Sequence, residues 1–514
     1  MYKSLWGDIG LLYARKRGLS YRFHSLPKDT LMRRMVLFVV ALFAVFAPMA
    51  AVAAPPVKPQ SELPKTWVDK DTGHRIIRLT SQPGSLSFYF NVNPFSPDGK
   101  LMAYTAPHGI YVLNLTTLKT RLLVPNPPLP PGMANNRMAH FMYGVHAIVV
   151  GHKTPSVFYT EFDPATHTST LYKANMYTGK ITKLVHLKRG ESIITINANE
   201  TLGAGTMEVG PLKPGARPGY FMKHHPGITQ RQAKGEMMER RLASHQPMIL
   251  YTVDLQPGPD QGKMKVLLHS TAWLNHLLFS PTDPNLLMYC HEGLWWKVNR
   301  IWTIRTDGTH NMLIHKRTMA KEIAGHEFWG LDGETIWYDW QYPKSEVFFL
   351  ASYNLQTHER VAYHLSRNAW GIHFNVNQGA TLMADDGGDS GQVAHAKNGE
   401  WIELLRPKMI PLGHALNSPS YWQPGVLHAE HLVNMAHHNY RLEPNVHFSP
   451  NGKMIIFRSN MFGPSYVFGV DIAKAKHAKP SEIISTPKLA AEFNPVNPTP
   501  TNVLPPSRSA PAKH

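Results

Sequence analysis

Four ionisable side chains near the middle of the chain have the types and spacing for acid–base or metal chemistry: His276 in TAWLNH, His291 in YCHEG, Arg300 in VNRIW and His326 in GHEFW. Each stands in or beside a short run that reads as a strand. Strands favour Val, Ile, Thr and aromatic residues, and nothing in that preference calls for imidazoles at their ends. Binding and catalytic groups, by contrast, collect at the loops and edges of a rigid scaffold. Several such groups converging on one place is what proton transfer or a bound cation requires.

The elements that must position them repeat. A turn recurs as FSPDGK (Phe95 to Lys100), FSPTDP (Phe279 to Pro284) and FSPNGK (Phe448 to Lys453), with weaker copies in WGLDGE from Trp329 and FNVNQGA from Phe374. An apolar strand follows each turn, as in LMAYTA, LLMYC and MIIFRS. Asp-Gly or Asn-Gly supplies the positive φ that a tight hairpin needs, and the preceding Pro presets the entry. Phe279 to Trp329 is 50 residues and Trp329 to Phe374 is 45, the period of a four-stranded propeller blade. The fold expected is therefore an all-β propeller of seven blades, closed by Thr66 to Thr80 pairing with the last sheet, with the site on the ring axis. Two stretches break the period. Met207 to Pro247 reads as a polar insert ending in a short helix over TQRQAKGEMMERRLASH, and Leu405 to His438 is rich in Pro, His and aromatic residues. The domain reading is 1–54 signal region, 55–480 propeller and 481–514 a disordered Pro-rich tail.

The charge balance is +18, with 53 Lys and Arg against 35 Asp and Glu, a surface that attracts polyanions. No basic recognition helix, zinc finger or RNP-like strand accompanies it, which argues against nucleic acid as the partner. Cys290 is the single cysteine, so neither an internal disulfide nor a Cys-based zinc cluster is possible. At the N-terminus Arg33 and Arg34 precede the apolar run Met35 to Phe46 and the small residues Ala50 to Ala54. That layout predicts a cleaved export signal, a true start at Met32 or Met35, and a periplasmic or secreted protein. The apolar run is about a dozen residues, short of the roughly 20 that span a bilayer, so no stable membrane anchor is expected after cleavage.

Taken in order, TAWLNH, CHEG, the Arg of the following strand, GHEFW, the WGIHFN turn, DDG and the segment before FSPNGK resemble the oligogalacturonate lyases. The resemblance covers most of Asp71 to Asp471. It implies a seven-bladed propeller that cleaves short pectin fragments, acidic oligosaccharides, by β-elimination with a manganese-type ion. It places His326 on the catalytic base, Arg300 on a catalytic arginine and His373 on a metal-binding histidine. The family's remaining ligands, a Gln followed three and five residues later by His and His, fall here on Tyr440, Glu443 and Asn445. With His373, the oxygen donors Glu443 and Asn445 would hold a hard divalent ion, Mn2+ first and Mg2+ or Ca2+ next. Tyr440 is then expected at the substrate, and His447 as a substitute because alternate strand residues share a face. His276 and His291 are expected to line the substrate.

The chemistry needs a base for the proton next to the uronate carboxylate and positive charge for the enolate-like transition state. Arg300 is expected as a bidentate clamp on that carboxylate. Plainer roles exist beside these: Arg300 paired with Glu292 or Glu327, His291 and Glu292 as a turn orienting the others, and Asp385, Asp386 and Asp389 as a solvated turn, favoured by Gly387 and Gly388 over a calcium site. Trp295, Trp296, Trp329, Trp337 and Trp340 serve either sugar stacking or packing between blades. The rival function is a non-catalytic exported propeller, similar to the TolB-like scaffolds that share the FSPDG turn, binding an anionic glycan or a partner protein.

Overall fold

The recurring turn folds as its residues dictate. Gly99, Gly333 and Gly452 take φ of 65°, 71° and 66°, and their amides close the turn onto Ser96, Gly330 and Ser449 carbonyls at 2.8, 3.0 and 2.8 Å. The turn Ser adds a side-chain bond in two copies, Ser96 Oγ to Asp98 at 2.6 Å and Ser449 Oγ to Asn451 at 2.8 Å. The computed structural model of the protein describes residues 57–133, 139, 143–216, 230–412 and 421–495. The expected signal region lies outside them. Among the described residues no helix is long and apolar enough to cross a membrane.

Antiparallel hairpins assemble into sheets in chain order. A three-stranded sheet spans Leu101–Ala106 to Thr120–Pro125, and four-stranded sheets run from Val145–Val150 to Ile181–Leu187, from Thr195–Ile196 to Met264–Ser270, and from Trp273–Phe279 to Met312–Leu313. An eight-stranded sheet follows. It divides into two four-stranded halves where Arg360–Leu365 pairs in parallel with Trp422–Asn434. The closing sheet joins Met454–Ser459 and Tyr466–Lys474 to His74–Arg78 and Thr66–Asp69, the pairing of chain ends expected for a ring.

The apolar clusters follow the same circle. Phe158, Leu187 and Tyr251 fill one gap between neighbouring sheets, Leu274, Leu287 and Leu250 the next, and Met288, Ile336 and Tyr353 another. Met102 and Tyr104 of the three-stranded sheet pack on Ile456 and Val467 of the closing sheet, which completes the circuit. Burying each such side chain contributes about 1.5–3 kcal/mol, so the ring is held by its faces and its centre is left to polar residues.

Three expectations change. The expected tail over 481–514 is not wholly disordered: Ile483–Ile484 pairs with Thr66–Asp69, and Thr486–Phe493 is a helix whose Leu489, Ala490 and Phe493 share one face and pack in the cluster of Trp67 and Phe462. Residues beyond 495 lie outside the described set. Much of Leu405 to His438 is sheet, since Trp401–Met409 and Trp422–Asn434 pair along their length. The weak turn copy is also shifted by two residues: Val376, not Phe374, pairs last in its hairpin. The insert helix forms as expected at Gln230–Ser244, anchored by Arg241 to Glu208 at 2.6 Å.

Candidate functional site

Correcting that register exposes the geometry of the site. Phe279, Trp329, Val376 and Phe448 hold equivalent places, paired with Leu287, Ile336, Met383 and Ile455 at the turn end of four successive inner hairpins. Three residues before each stand His276, His326, His373 and Asn445. The backbone at His276, His326 and Asn445 is left-handed, with φ of 48°, 48° and 56°. The two histidines sit at breaks in strand register, between Asn275 and Leu278 and between Gly325 and Phe328. Such bulges re-aim a side chain, and a non-glycine residue in that region is held there only by its surroundings.

One side of the site is a compensated ion cluster. Glu292 receives His276 Nε2 at 3.0 Å and the Arg300 guanidinium at 2.7 Å, and Arg300 reaches Glu327 at 3.9 Å. Both carboxylates and the guanidinium are buried. Burial alone would push the Glu327 carboxyl up; Arg300 and His276 outweigh it and hold it below the ordinary glutamate range. Trp295 lies against Arg300 at 4.4 Å and against His326 at 4.8 Å. Gly325 is required beneath it, because a Cβ there would stand 2.6 Å from the indole. The Arg300 side chain is 2 % exposed and its charge is committed to Glu292, so it positions neighbours instead of serving as the expected carboxylate clamp.

The other side is organised around two histidines whose rings meet at 4.7 Å. His326 Nδ1 bonds Asp339 at 3.2 Å. His373 Nδ1 bonds Asp386 Oδ2 at 2.8 Å, while the other Asp386 oxygen accepts the His373 backbone N–H at 3.0 Å. A carboxylate on Nδ1 fixes the ring and makes Nε2 the reactive nitrogen. Phe90 stacks on His373 at 4.5 Å, and the Tyr89 hydroxyl meets His373 Nε2 at 3.1 Å. Burial, with the Glu443 and Asp386 carboxylates, pushes the Tyr89 phenol well up, so Tyr89 stays a hydroxyl at neutral pH.

Asp339 and Tyr89 were not among the expected site residues, and Trp295 and Asp386 were named only as a stacking or packing ring and as part of an acidic turn. Asp385 and Asp386 are wholly buried, which overturns the solvated-turn reading of that cluster. Their signal was the run of two aspartates just after a strand. Tyr89 and Phe90 had none, because their stretch replaces a regular inner strand before Phe95.

The remaining expected residues sit apart. His291 points to the opposite sheet face from Glu292, stacked on Trp302 at 4.8 Å; burial and Arg300 pull its pKa to about 4. Tyr440 is buried and donates to the Asp386 carbonyl at 3.0 Å, behind the site. His447 is buried against the Val92 carbonyl at 3.2 Å, with burial holding its pKa at about 4.

The ligand set expected for a divalent ion does not fit. Asn445 gives its carbonyl to the Phe90 N–H at 3.0 Å and its amide to the Glu443 carbonyl at 2.8 Å. His373 Nε2 already faces the Tyr89 hydroxyl. His373 Nε2 and Glu443 Oε2 do face each other at 3.8 Å. Among the described residues, however, no three His, Cys, Asp or Glu side chains are gathered closely enough to hold an ion.

A ring of hairpin sheets that brings paired histidines and buried carboxylates together defines a propeller with a candidate site for acid–base chemistry. The model of the oligogalacturonate lyase family matches residues 244–475, which bears out the resemblance over that part of the stretch read in the sequence. The chain is 28% identical over 209 residues to the oligogalacturonide lyase of Pectobacterium atrosepticum, covering 39% of this chain and 50% of that protein. It is 28% identical over 225 residues to the oligogalacturonate lyase of Dickeya dadantii, covering 42% and 53%. The aligned part thus spans about half the length of these relatives. A solved structure described as an oligogalacturonate lyase in complex with manganese shares the fold at 19% identity, with a TM-score of 0.58 over 80% of this chain and 96% of that one.

Proposed function

We propose that the chain is an exported carbon–oxygen lyase that cleaves oligogalacturonate, or a related uronate oligomer, by β-elimination. The observation that carries this is the meeting of His326 and His373, each held by a buried carboxylate, in the stretch that matches the lyase family. His326, with Nδ1–H given to Asp339, takes the proton from the carbon next to the uronate carboxylate through Nε2. The electron pair of that C–H bond forms the double bond as the bond to the glycosidic oxygen breaks, and the departing oxygen takes up a proton from solvent. Proton transfer of this kind contributes typically two to four powers of ten in rate. Tyr89 donates its hydroxyl proton to His373 Nε2, and it meets the developing negative charge only by turning that proton from the nitrogen to the substrate. Arg300 keeps Glu292 and Glu327 compensated, so that the carbohydrate acid meets no uncompensated buried anion.

Export rests on the Arg33 to Ala54 layout, and N-terminal sequencing of the mature protein tests it. The activity is tested by incubating purified protein with di- and trigalacturonate and following the ultraviolet absorbance of the unsaturated product. A folded protein that produces no such absorbance from any uronate oligomer would contradict the lyase reading.

A further inference from the structure

The tandem Trp295–Trp296 divides its two rings between the interior and the surface. Trp295 packs on His326 and Arg300, while Trp296 is 39% exposed. The segment 293–300 joins the second and third strands of its sheet. Antiparallel alternation puts it at the same end as segments 314–322 and 342–347. The contacts agree: Lys344 Nζ stands 4.8 Å from the Trp296 ring centre, and the Arg317 guanidinium donates to the Trp296 carbonyl. Arg317 N–H is tied to Asn299 at 3.1 Å, and its Nε is buried with no hydrogen-bond partner. Lys316 and Lys321 belong to the same segment as Arg317, whose one carboxylate, Glu322, is buried on His315 at 2.8 Å and on the Trp340 indole at 2.8 Å.

An exposed indole flanked by cations, one residue from the side chain that covers the site, matches a sugar acid in both its parts. The apolar face of a pyranose ring packs on an aromatic surface, and its carboxylate pairs with ammonium or guanidinium. We propose that Trp296, Lys344 and Arg317 form a rim subsite for a distal uronate unit of the oligomer, so that the protein reads chain length beyond the bond it cleaves. This rests on the lyase reading above.

The test compares kcat/KM for tri- and digalacturonate in the natural protein, Trp296→Ala and Lys344→Gln. The expected result is a trimer-to-dimer ratio that falls about tenfold in either variant, the factor that about 1.4 kcal/mol of lost binding produces. An unaltered ratio overturns the subsite. Calorimetric titration with trigalacturonate and with a neutral galactose trimer separates the two readings. Trimer binding that is acid-specific and weakened by Trp296→Ala supports the rim even if no double bond forms, and binding that ignores both overturns it.

Discussion

The two sides of the axial site solve the same problem in opposite ways. On the Arg300 side, buried charges compensate one another through side chains: His276, Glu292, Arg300 and Glu327 form one chain of contacts. On the Asn445 side, equivalent positions have been given to the backbone. Asn445 bonds Phe90 N–H and the Glu443 carbonyl, and Arg458 donates to the Glu443 and Ser87 carbonyls at 2.8 and 2.9 Å. A repeat therefore hands each blade the same place but not the same role. What decides the role is the side chain's neighbour: the His326 and His373 rings each meet a carboxylate, whereas Asn445 gives Asp386 its backbone N–H and spends its side chain on pinning a loop.

The largest expected effect falls where the two sides meet. His326→Ala should lower kcat by about two to four powers of ten, the usual worth of a positioned base, with the fold intact by circular dichroism. Full activity in that variant would move the base elsewhere. Next is the ion cluster itself. Arg300→Met leaves two carboxylates buried without their partner and should cost about 3–5 kcal/mol in denaturant unfolding. Adding Glu292→Gln should recover part of that loss, and a double variant no better than the single would show that the cluster does not act as a unit.

The fold was legible because its signals are local. Ser-Pro-Asp-Gly is a turn wherever it lies, and its period implies blades. His326 was legible as an imidazole at a strand end and, with His373, through the family resemblance; their shared offset from the turn emerged only once the structure corrected the register. The carboxylates that give them a tautomer were not, since Asp339 and Asp386 lie on neighbouring strands and the sequence carries no distance between them. Asn445 shows the limit most clearly. An amide beside a turn reads equally as a ligand or as a backbone partner, and only the approach of Phe90, 355 residues away, distinguishes the two.

Acid should separate the sides further. On the Asn445 side burial holds His447 at about 4 and His438 at about 3. Both values are below the unfolded value of about 6.5, so between pH about 6.5 and 4 the unfolded chain takes up protons that the folded one refuses. Stability from these groups is then fully present above pH about 6.5 and falls as the pH drops through that window. Glu400, pushed by burial and Asp389 to about 7, works in the opposite direction. Asp385, Glu403 and Asp69, raised by burial, act in the same direction as Glu400, so the reading is a difference between proteins: across the window His447→Gln should flatten the dependence of unfolding free energy on pH by on the order of 1 kcal/mol per pH unit. An unchanged slope would mean that His447 is not held neutral in the fold.

The smallest expected effect is the most discriminating. If Tyr89 and the backbone have taken the places of ion ligands, extensive dialysis against a chelator should alter the rate by no more than about twofold, a barrier change of about 0.4 kcal/mol. Elemental analysis should find manganese well below one equivalent. Restoring imidazoles with the double substitution Glu443→His and Asn445→His should add manganese affinity, at the expense of the Phe90 N–H bond and its stabilisation of about 0.5–1.5 kcal/mol. Stoichiometric manganese in the natural protein, lost together with activity on chelation, would mean that Glu443 and His373 close on an ion and that the two sides of the axis differ far less than their hydrogen bonds indicate.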